Sequence, residues 1–169
     1  MEEIRKKIEE ADLVLVGIGE KFAVQDEEAP ILAAYQTLAK LLDGKNYFVI
    51  TTCVDGIVYE VGLKEERIVR PLAEEENIET DTTDRPSRWE TYMKWLQGTL
   101  NKKLFILELG VGLKHPEMIR FPFEKIAYFN QKADFMRIHD KLFQLPAELG
   151  GKGISRQENP VELLANTKI

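Results

Sequence analysis

The stretch VITTCVDG at residues 49–56 decides the fold. It begins inside an apolar run, Tyr47 to Ile50, which is rich in β-branched and aromatic residues and is typical of a buried strand. Hydroxyl, thiol and carboxylate groups then follow at Thr51, Thr52, Cys53 and Asp55. Because open α/β sheets bind ligands at the carboxyl ends of their strands, this pattern indicates a binding site. A simpler interpretation is that Asp55 caps a helix, which we predict at 57–61.

The composition predicts one domain in the cytoplasm. The chain has 169 residues, 44% of them hydrophobic, which is enough for an ordinary core. A single cysteine allows neither an internal disulfide nor a cysteine-based zinc site, so we expect no metal. The charged first ten residues and the absence of a long apolar run predict no membrane span. The net charge of −6 makes nucleic acid an unfavourable partner.

A predicted β-α-β unit begins with the apolar run 13–16, which is typical of a central parallel strand. Gly17-Ile18-Gly19 follows the strand, and a helix over 29–42 returns the chain to residue 47. Glycines at this point let a diphosphate approach the backbone. The pattern also fits a plain tight turn. The third glycine of a dinucleotide fingerprint is replaced by Phe22, and Glu20 puts a negative charge where phosphate would lie.

Another predicted strand, 103–109, is also followed by glycines, at Gly110-Val111-Gly112. Two such strands in one sheet would bring both turns to the same carboxyl edge. Further strands are predicted at 67–70 and 135–139, the latter ending at His139. A loop is predicted at 145–153, and a last helix starts at the N-cap Asn159.

Between these strands, residues 73–88 are acidic and hydroxyl-rich, which predicts a surface excursion. Ser87 and Glu90 form a capping box for a helix over 88–100. Apolar residues make a stripe along that helix at Trp89, Met93, Leu96 and Leu100. We therefore expect the two tryptophans, Trp89 and Trp95, to pack in the core, with stacking against a ligand as the alternative.

The order and spacing of these blocks resemble those of the sirtuin family. Residues 30–62 are similar to the sirtuin segment that reads T-Q-N-I-D-G followed by a short helix and A-G. Gly17-Ile18-Gly19 stands where sirtuins have G-A-G, residues 110–113 where they have G-T-S-L, and Ile138-His139 where they have I-N. The resemblance covers about residues 11–164 and is greatest to small, divergent bacterial members.

The resemblance implies an α/β fold, a Rossmann-like three-layer domain with a mostly parallel central sheet. It also implies a single domain over residues 1–169, in which an insert at about 73–102 replaces the zinc module of the family.

The resemblance further implies that NAD is the cofactor and that NAD or ADP-ribose is bound. Active members of the family release nicotinamide while they deacylate or ADP-ribosylate a protein. Asp55 would then be catalytic and orient the nicotinamide ribose. The implied cofactor-binding residues are Gly17, Gly19, Glu20, Thr52, Cys53, Asp55, Gly110, Val111, Gly112 and His139.

The sequence departs from the family pattern at the reacting end of the site. Cys53 and Thr52 replace the family's asparagine and glutamine, and Arg70-Pro71-Leu72 stands where the catalytic histidine should be. Three hypotheses follow: an NAD-consuming transferase, a catalytically inactive sensor or interaction module that binds NAD or ADP-ribose, and a fold that has lost its ligand. Two further expectations concern single residues. The Cys53 thiol should be unusually reactive, and Gly19→Val should abolish nucleotide binding without disturbing the fold.

Overall fold

The computed structural model describes residues 1–24, 27–76 and 87–167. The strands are β1 (Leu13–Ile18), β2 (Tyr47–Thr51), β3 (Ile68–Val69), β4 (Leu104–Leu109), β5 (Asp134–Ile138) and β6 (Gly153–Arg156). The helices are α1 (Glu2–Glu10), α2 (Ala29–Leu42), α3 (Pro71–Glu76), α4 (Arg88–Gln97), α5 (Arg120–Phe129) and α6 (Pro160–Ala165). The strands form one sheet in the order β3-β2-β1-β4-β5-β6, and every ladder is parallel.

Both faces of the sheet are buried, which gives the three layers that the sequence predicts. Val14, Val16 and Ile18 of β1 point to a core shared with α1, α2 and α6. Leu13 and Leu15 point to a second core shared with α4 and α5. Because each side chain of β1 meets one of these cores, the strand reads as a continuous apolar run.

The central position of β1 in the sheet determines where a ligand can bind. Its last residue, Ile18, is in register with Thr51 of β2 and with Leu109 of β4. The three strands therefore end at the same level. The chain leaves β1 towards β2 on one side, while β4 lies on the other, so the strand order reverses here and leaves room for a ligand.

Several predicted elements differ in detail. The helix expected at 57–61 is only a 3-10 turn, Ile57–Tyr59, and the strand expected at 67–70 shortens to β3. The predicted loop at 145–153 includes a 3-10 segment, Ala147–Lys152, and leads into β6, which the sequence analysis missed. Helix α3 starts the predicted excursion, of which residues 77–86 lie outside the described residues.

The predicted capping box of α4 is confirmed, because the Ser87 Oγ accepts a hydrogen bond from the Glu90 amide at 3.1 Å and the Glu90 Oε2 accepts one from the Ser87 amide at 3.1 Å. The predicted burial holds in part for Trp95 and Leu96, which pack against the second core, but it is wrong for Trp89. Tyr92 is 3% exposed and packs on Phe48 of β2, whereas Trp89 is 40% exposed. Met93 and Leu100 of the predicted stripe are exposed as well.

The orientation of α4 is explained by a hydrogen bond that Trp95 makes with Asn46. The indole nitrogen of Trp95 donates to the Oδ1 of Asn46 at 2.8 Å, and its ring lies 5.1 Å from the Phe48 ring. These contacts turn Tyr92 and Trp95 towards β2, and the predicted stripe then faces the space beside α4.

Candidate functional site at the carboxyl edge

Backbone hydrogen bonds join the ends of the strands into one edge. The Gly19 amide donates to the Leu109 carbonyl at 2.9 Å, and the Thr52 amide donates to the Ile18 carbonyl at 3.1 Å. The Gly110 amide donates to the Ile138 carbonyl at 2.9 Å. The prediction that both glycine turns meet at one edge is therefore confirmed.

The two turns touch through their backbones at Gly19. A Cβ atom at this position would lie 2.3 Å from the Val111 Cα and 2.5 Å from the Gly110 oxygen. Only glycine fits, because the groups that it meets are main chain and have no rotamer with which to move aside. The expectation that Gly19→Val would leave the fold intact is wrong, since the side chain would force the turns apart.

Gly17 has a packing role. A Cβ atom here would lie 2.4 Å from Cγ2 of Ile119 and 2.6 Å from Cε2 of Phe123. The glycine thus lets the start of α5 approach the sheet closely. Its contact with a cofactor stays a prediction.

The β4 turn forms an anion-binding arrangement with Glu20 beside it. A Cβ atom at Gly112 would lie 2.2 Å from the Glu20 Oε1, and the same oxygen accepts a hydrogen bond from the Lys114 amide at 3.5 Å. Within the part of the chain that the structure describes, the amides of Gly112 and Leu113 donate to no other group. Successive free amides attract an anion, and the carboxylate of Glu20 lies beside this turn, against Gly112 and the Lys114 amide.

The β1 turn offers less to a diphosphate than expected. Residues Glu20–Phe22 form a 3-10 turn and not an α-helix, so no long helix directs its dipole at the edge. The amide of Lys21 donates to Gly110, and that of Phe22 donates to Gly19. Two of the three amides in this turn are therefore already paired, whereas those of Gly112 and Leu113 in the β4 turn are not.

Cys53 lies beneath the edge of the sheet. It is 4% exposed, and its thiol donates to the Gly19 carbonyl at 3.4 Å. Burial, opposed in part by a hydrogen bond with Thr51, raises the pKa of Cys53 to about 11. The expectation of a reactive thiol is wrong, because the thiolate is the nucleophile and burial suppresses it.

One hydroxyl group beside Cys53 has no protein partner. The Oγ1 of Thr52 is buried and makes no hydrogen bond among the described residues, whereas the phenol of Tyr35 interacts with the side chains of Thr51 and Cys53. Most buried polar groups in proteins are paired, so an unpaired hydroxyl marks a place for a water or a ligand.

Asp55 begins the turn that follows β2. Its Oδ1 accepts a hydrogen bond from the Ile57 amide at 3.2 Å, which is the capping role of the simpler interpretation. The residue is exposed, and Gly56 after it has a φ of 86°. One carboxylate oxygen thus caps the turn, and the residue remains exposed to solvent. A catalytic role of Asp55 stays a prediction.

Arg70 lies beside this turn and was missed as a site residue. Its Nε donates to the Cys53 carbonyl at 3.4 Å, its Nη2 donates to the Val54 carbonyl, and its guanidinium carbon is 5.2 Å from the centre of the Tyr59 ring. The sequence contained a signal, since Arg70 directly follows a strand where the resemblance calls for a histidine.

His139 is held by its Nδ1 atom. The amides of Lys141 and Leu142 donate to this nitrogen at 3.0 Å and 3.1 Å, and the Asp140 Oδ1 lies 2.9 Å from it. Burial lowers the pKa of His139, and the adjacent Asp140 offsets this only in part. The other carboxylate oxygen of Asp140, Oδ2, pairs with Lys21, whose Nζ lies at 2.9 Å.

A buried ion-pair network supports the β4 turn from behind. Glu108 of β4 accepts hydrogen bonds from Arg137 of β5 at 2.7 Å and 3.0 Å, and from Arg120 at 3.2 Å. Arg120 also donates to the Val111 carbonyl at 3.1 Å. Burial lowers the pKa of Arg137, but its bonds to Glu108 outweigh this and the net shift is upward. The network thus fixes the backbone of the turn through charged hydrogen bonds.

Comparison with solved structures places this edge in a known architecture. The chain is 13% identical to a Sir2 structure with a p53 peptide and NAD+, with a TM-score of 0.56 over 97% of this chain and 95% of that one. A structure described as a basis for the mechanism and regulation of Sir2 enzymes is 12% identical, with a TM-score of 0.55 and the same coverage. The chain has the Sir2 fold. A mutant Sir2 homologue in complex with ADP ribose is 10% identical, with a TM-score of 0.53 over 98% of this chain and 94% of that one.

The Sir2-like fold is recognised by structure and not by sequence. No protein-family model matches the chain, and no curated protein sequence matches it significantly. No helix in the described ranges is long and apolar enough to cross a membrane. At 10–13% identity, the likeness establishes the fold alone.

Proposed function

We propose that this Sir2-like chain binds NAD or ADP-ribose at the carboxyl edge of β1, β2, β4 and β5. The observation that carries the proposal is the backbone contact between the two glycine turns at the reversal of strand order. The unpaired amides of the β4 turn support it, because they suit a diphosphate. The unpaired hydroxyl of Thr52 supplies a further polar group for a ribose.

Each predicted site residue has a place in this proposal. The diphosphate would lie against Gly110, Val111 and Gly112 and displace the carboxylate of Glu20. The imidazole of His139 would contact the adenosine ribose. Thr52 and Asp55 would face the nicotinamide ribose, while Gly17, Gly19 and Cys53 shape the edge from below.

Binding without turnover is the function that the residues near Asp55 favour. The side chain beside the 53–56 turn is Arg70, and a guanidinium does not act as a general base because it does not lose its proton in proteins. His139 is buried at the other side of the sheet's centre, at the end of β5. We therefore propose a sensor or interaction module.

An NAD-consuming deacylase or ADP-ribosyltransferase is the second candidate. It is favoured by the exposed residue Asp55, whose carboxylate could stabilise positive charge as nicotinamide leaves. A protein substrate enters only by analogy with the p53 peptide of a Sir2 structure. In either case we propose that the segment at about 73–102 replaces the zinc module and contributes a partner-binding surface.

Calorimetric titration of the Gly112→Ala variant with ADP-ribose tests the binding site. The added methyl would meet only the flexible end of Glu20, so the fold should survive, yet it would occupy the anion position. We expect affinity to fall about 10–150-fold, the value of one charge-assisted hydrogen bond. Gly151→Ala is the matched control, because a Cβ atom there meets nothing within 4 Å.

The outcomes separate the hypotheses. Binding of ADP-ribose that Gly112→Ala weakens and Gly151→Ala does not would support the site. If the unmodified chain binds neither NAD nor ADP-ribose, the remaining hypothesis is that the fold has lost its ligand. If the unmodified chain releases nicotinamide from NAD and Asp55→Asn abolishes that release, the chain is an NAD-consuming transferase and not a sensor.

A further inference from the structure

An apolar groove runs between α4 and α5, on the face of the sheet that only these two helices cover among the described residues. Its volume is 610 Å³. Its apolar lining consists mainly of Trp89, Met93, Leu96, Leu100, Ile126 and Phe129. None of these residues belongs to the proposed nucleotide site, so the groove requires a separate explanation.

Exposed apolar side chains concentrate on the helices that form this groove, four of them in the groove itself and two, Phe121 and Tyr128, over a neighbouring depression on α5. Of the nine large hydrophobic residues that are exposed in the described chain, six lie on α4, on α5 or just after α4. They are Trp89, Met93, Leu100, Phe121, Tyr128 and Phe129. Phe129 is 61% exposed, and its ring packs edge-to-face on Tyr128 at 5.2 Å, which joins the two sides of α5 into one surface.

The exposed apolar area is most of what a dimer requires. Large side chains of this kind present about 150–250 Å² each when free, so six that are about half exposed offer about 600 Å². That is at the upper limit of the largest apolar patch on an ordinary monomer, about 300–600 Å². A stable interface buries about 800 Å² per partner, so polar side chains at the rim would have to supply about 200 Å².

The charges of the groove suit a second copy of this chain. The chain as a whole carries −6, which disfavours self-association of an average face. The groove, however, is lined by one acid, Glu117, and one base, Lys125. A two-fold axis through the groove can set Glu117 against the partner's Lys125, so like charges need not meet.

We infer that the α4–α5 groove is the interface of a symmetric homodimer. The side chains on the rim of one copy, Phe129 above all, enter the groove of the other, where Trp89, Met93 and Leu100 receive them. Such an interface is isologous and closes at two subunits, so the chain does not polymerise.

The test is sedimentation velocity of the full chain across micromolar concentrations, together with Phe129→Glu and its matched control Leu113→Glu. Leu113 is 58% exposed but does not line the groove, so it controls for placing a charge on an exposed apolar residue. We expect a species of twice the chain mass, at least about 30-fold weaker association for Phe129→Glu, and an unchanged dimer for Leu113→Glu. Circular dichroism verifies that both variants are folded.

A second measurement uses Phe129→Cys, whose new thiol is exposed while Cys53 is buried. A short bismaleimide should then join two chains across the axis. A dimer that Phe129→Glu leaves intact would overturn the assigned surface. A chain that stays monomeric would overturn the inference, and a monomer that binds an apolar fluorescent dye in the groove would assign the groove to a small apolar ligand instead.

Discussion

The thiol of Cys53 lies under the proposed site, not in it. We predict that iodoacetamide alkylates the folded chain slowly at neutral pH and faster as the pH approaches about 11, where the thiol ionises. The folded pKa is raised above the ordinary value of 9.0, so Cys53 stabilises the fold fully below that pH and loses this contribution as the pH rises towards about 11. Mass spectrometry measures the rate. The chain unfolded in urea should react rapidly, and equally rapid labelling of the folded chain would contradict its burial.

Glu20 competes with any anion at the β4 turn. We predict that Glu20→Gln raises the affinity for ADP-ribose about 10-fold, because the ligand no longer displaces a charge of its own sign from the turn. Fluorescence or calorimetric titration measures the change. Glu148→Gln, which removes an exposed carboxylate elsewhere, should leave the affinity unaltered. A weaker complex with Glu20→Gln would mean that the carboxylate holds the ligand.

Residue by residue, the sequence predicted where site groups would lie but not what each would do. Asp55 and the glycines come to the expected edge because parallel strands end together there. The sequence could not reveal that Glu20 would fold back over Gly112, since this depends on the rotamer of one side chain. Cys53 was misjudged because its burial results from neighbours on α2 and β1, far away in the chain.

At the scale of elements, charged pairs hold β4, β5 and the start of α5 together. We predict that Glu108→Gln lowers the free energy of unfolding by about 3–5 kcal/mol, because Arg120 would lose its paired carboxylate and Arg137 would keep only the partly exposed Glu124. Urea denaturation followed by circular dichroism measures the loss. Glu10→Gln breaks the exposed pair with Lys6 and should change the free energy by less than about 0.5 kcal/mol. Equal effects of the two substitutions would contradict the buried network.

The elements that the sequence predicted well are those with strong periodicity. Helix α2 and the central strands follow their apolar patterns, because burial on one stripe or on both faces dictates those patterns. Strand β6 was missed because it lies at the edge of the sheet and is only half buried. For α4, the spacing predicted a helix correctly, but the hydrogen bond between Trp95 and Asn46 selects its buried face, and no local pattern reports a partner in another element.

For the molecule as a whole, the order of strands predicts a gradient of stability. We expect amides of β1 and β4 to exchange most slowly with solvent, because these are the two central strands of the six and lie beneath helices. Amides of β3 and β6, at the two edges, should exchange fastest among the strands. Hydrogen-exchange mass spectrometry at peptide resolution tests this. Exchange in β1 as fast as in β6 would contradict the arrangement.

The three-layer architecture was within reach of the sequence, because alternating strands and helices with doubly buried strands admit few topologies. The contents of the site depend on side chains from four strands and could not be assembled from the sequence alone. The groove beside α4 is the clearest example, since it is lined by Trp89, which the sequence placed in the core.

The central position of β1 also has a consequence for biosynthesis. Leu13 pairs with Leu104, so a growing polypeptide leaves one side of its first strand without a partner until the fourth has emerged from the ribosome. At about 5–20 residues per second, that interval lasts roughly 4–20 s. An apolar strand with an open edge is a template for aggregation during this time. The nascent chain therefore depends on chaperones, or on early packing of α1 and α2, to shield its half-built sheet.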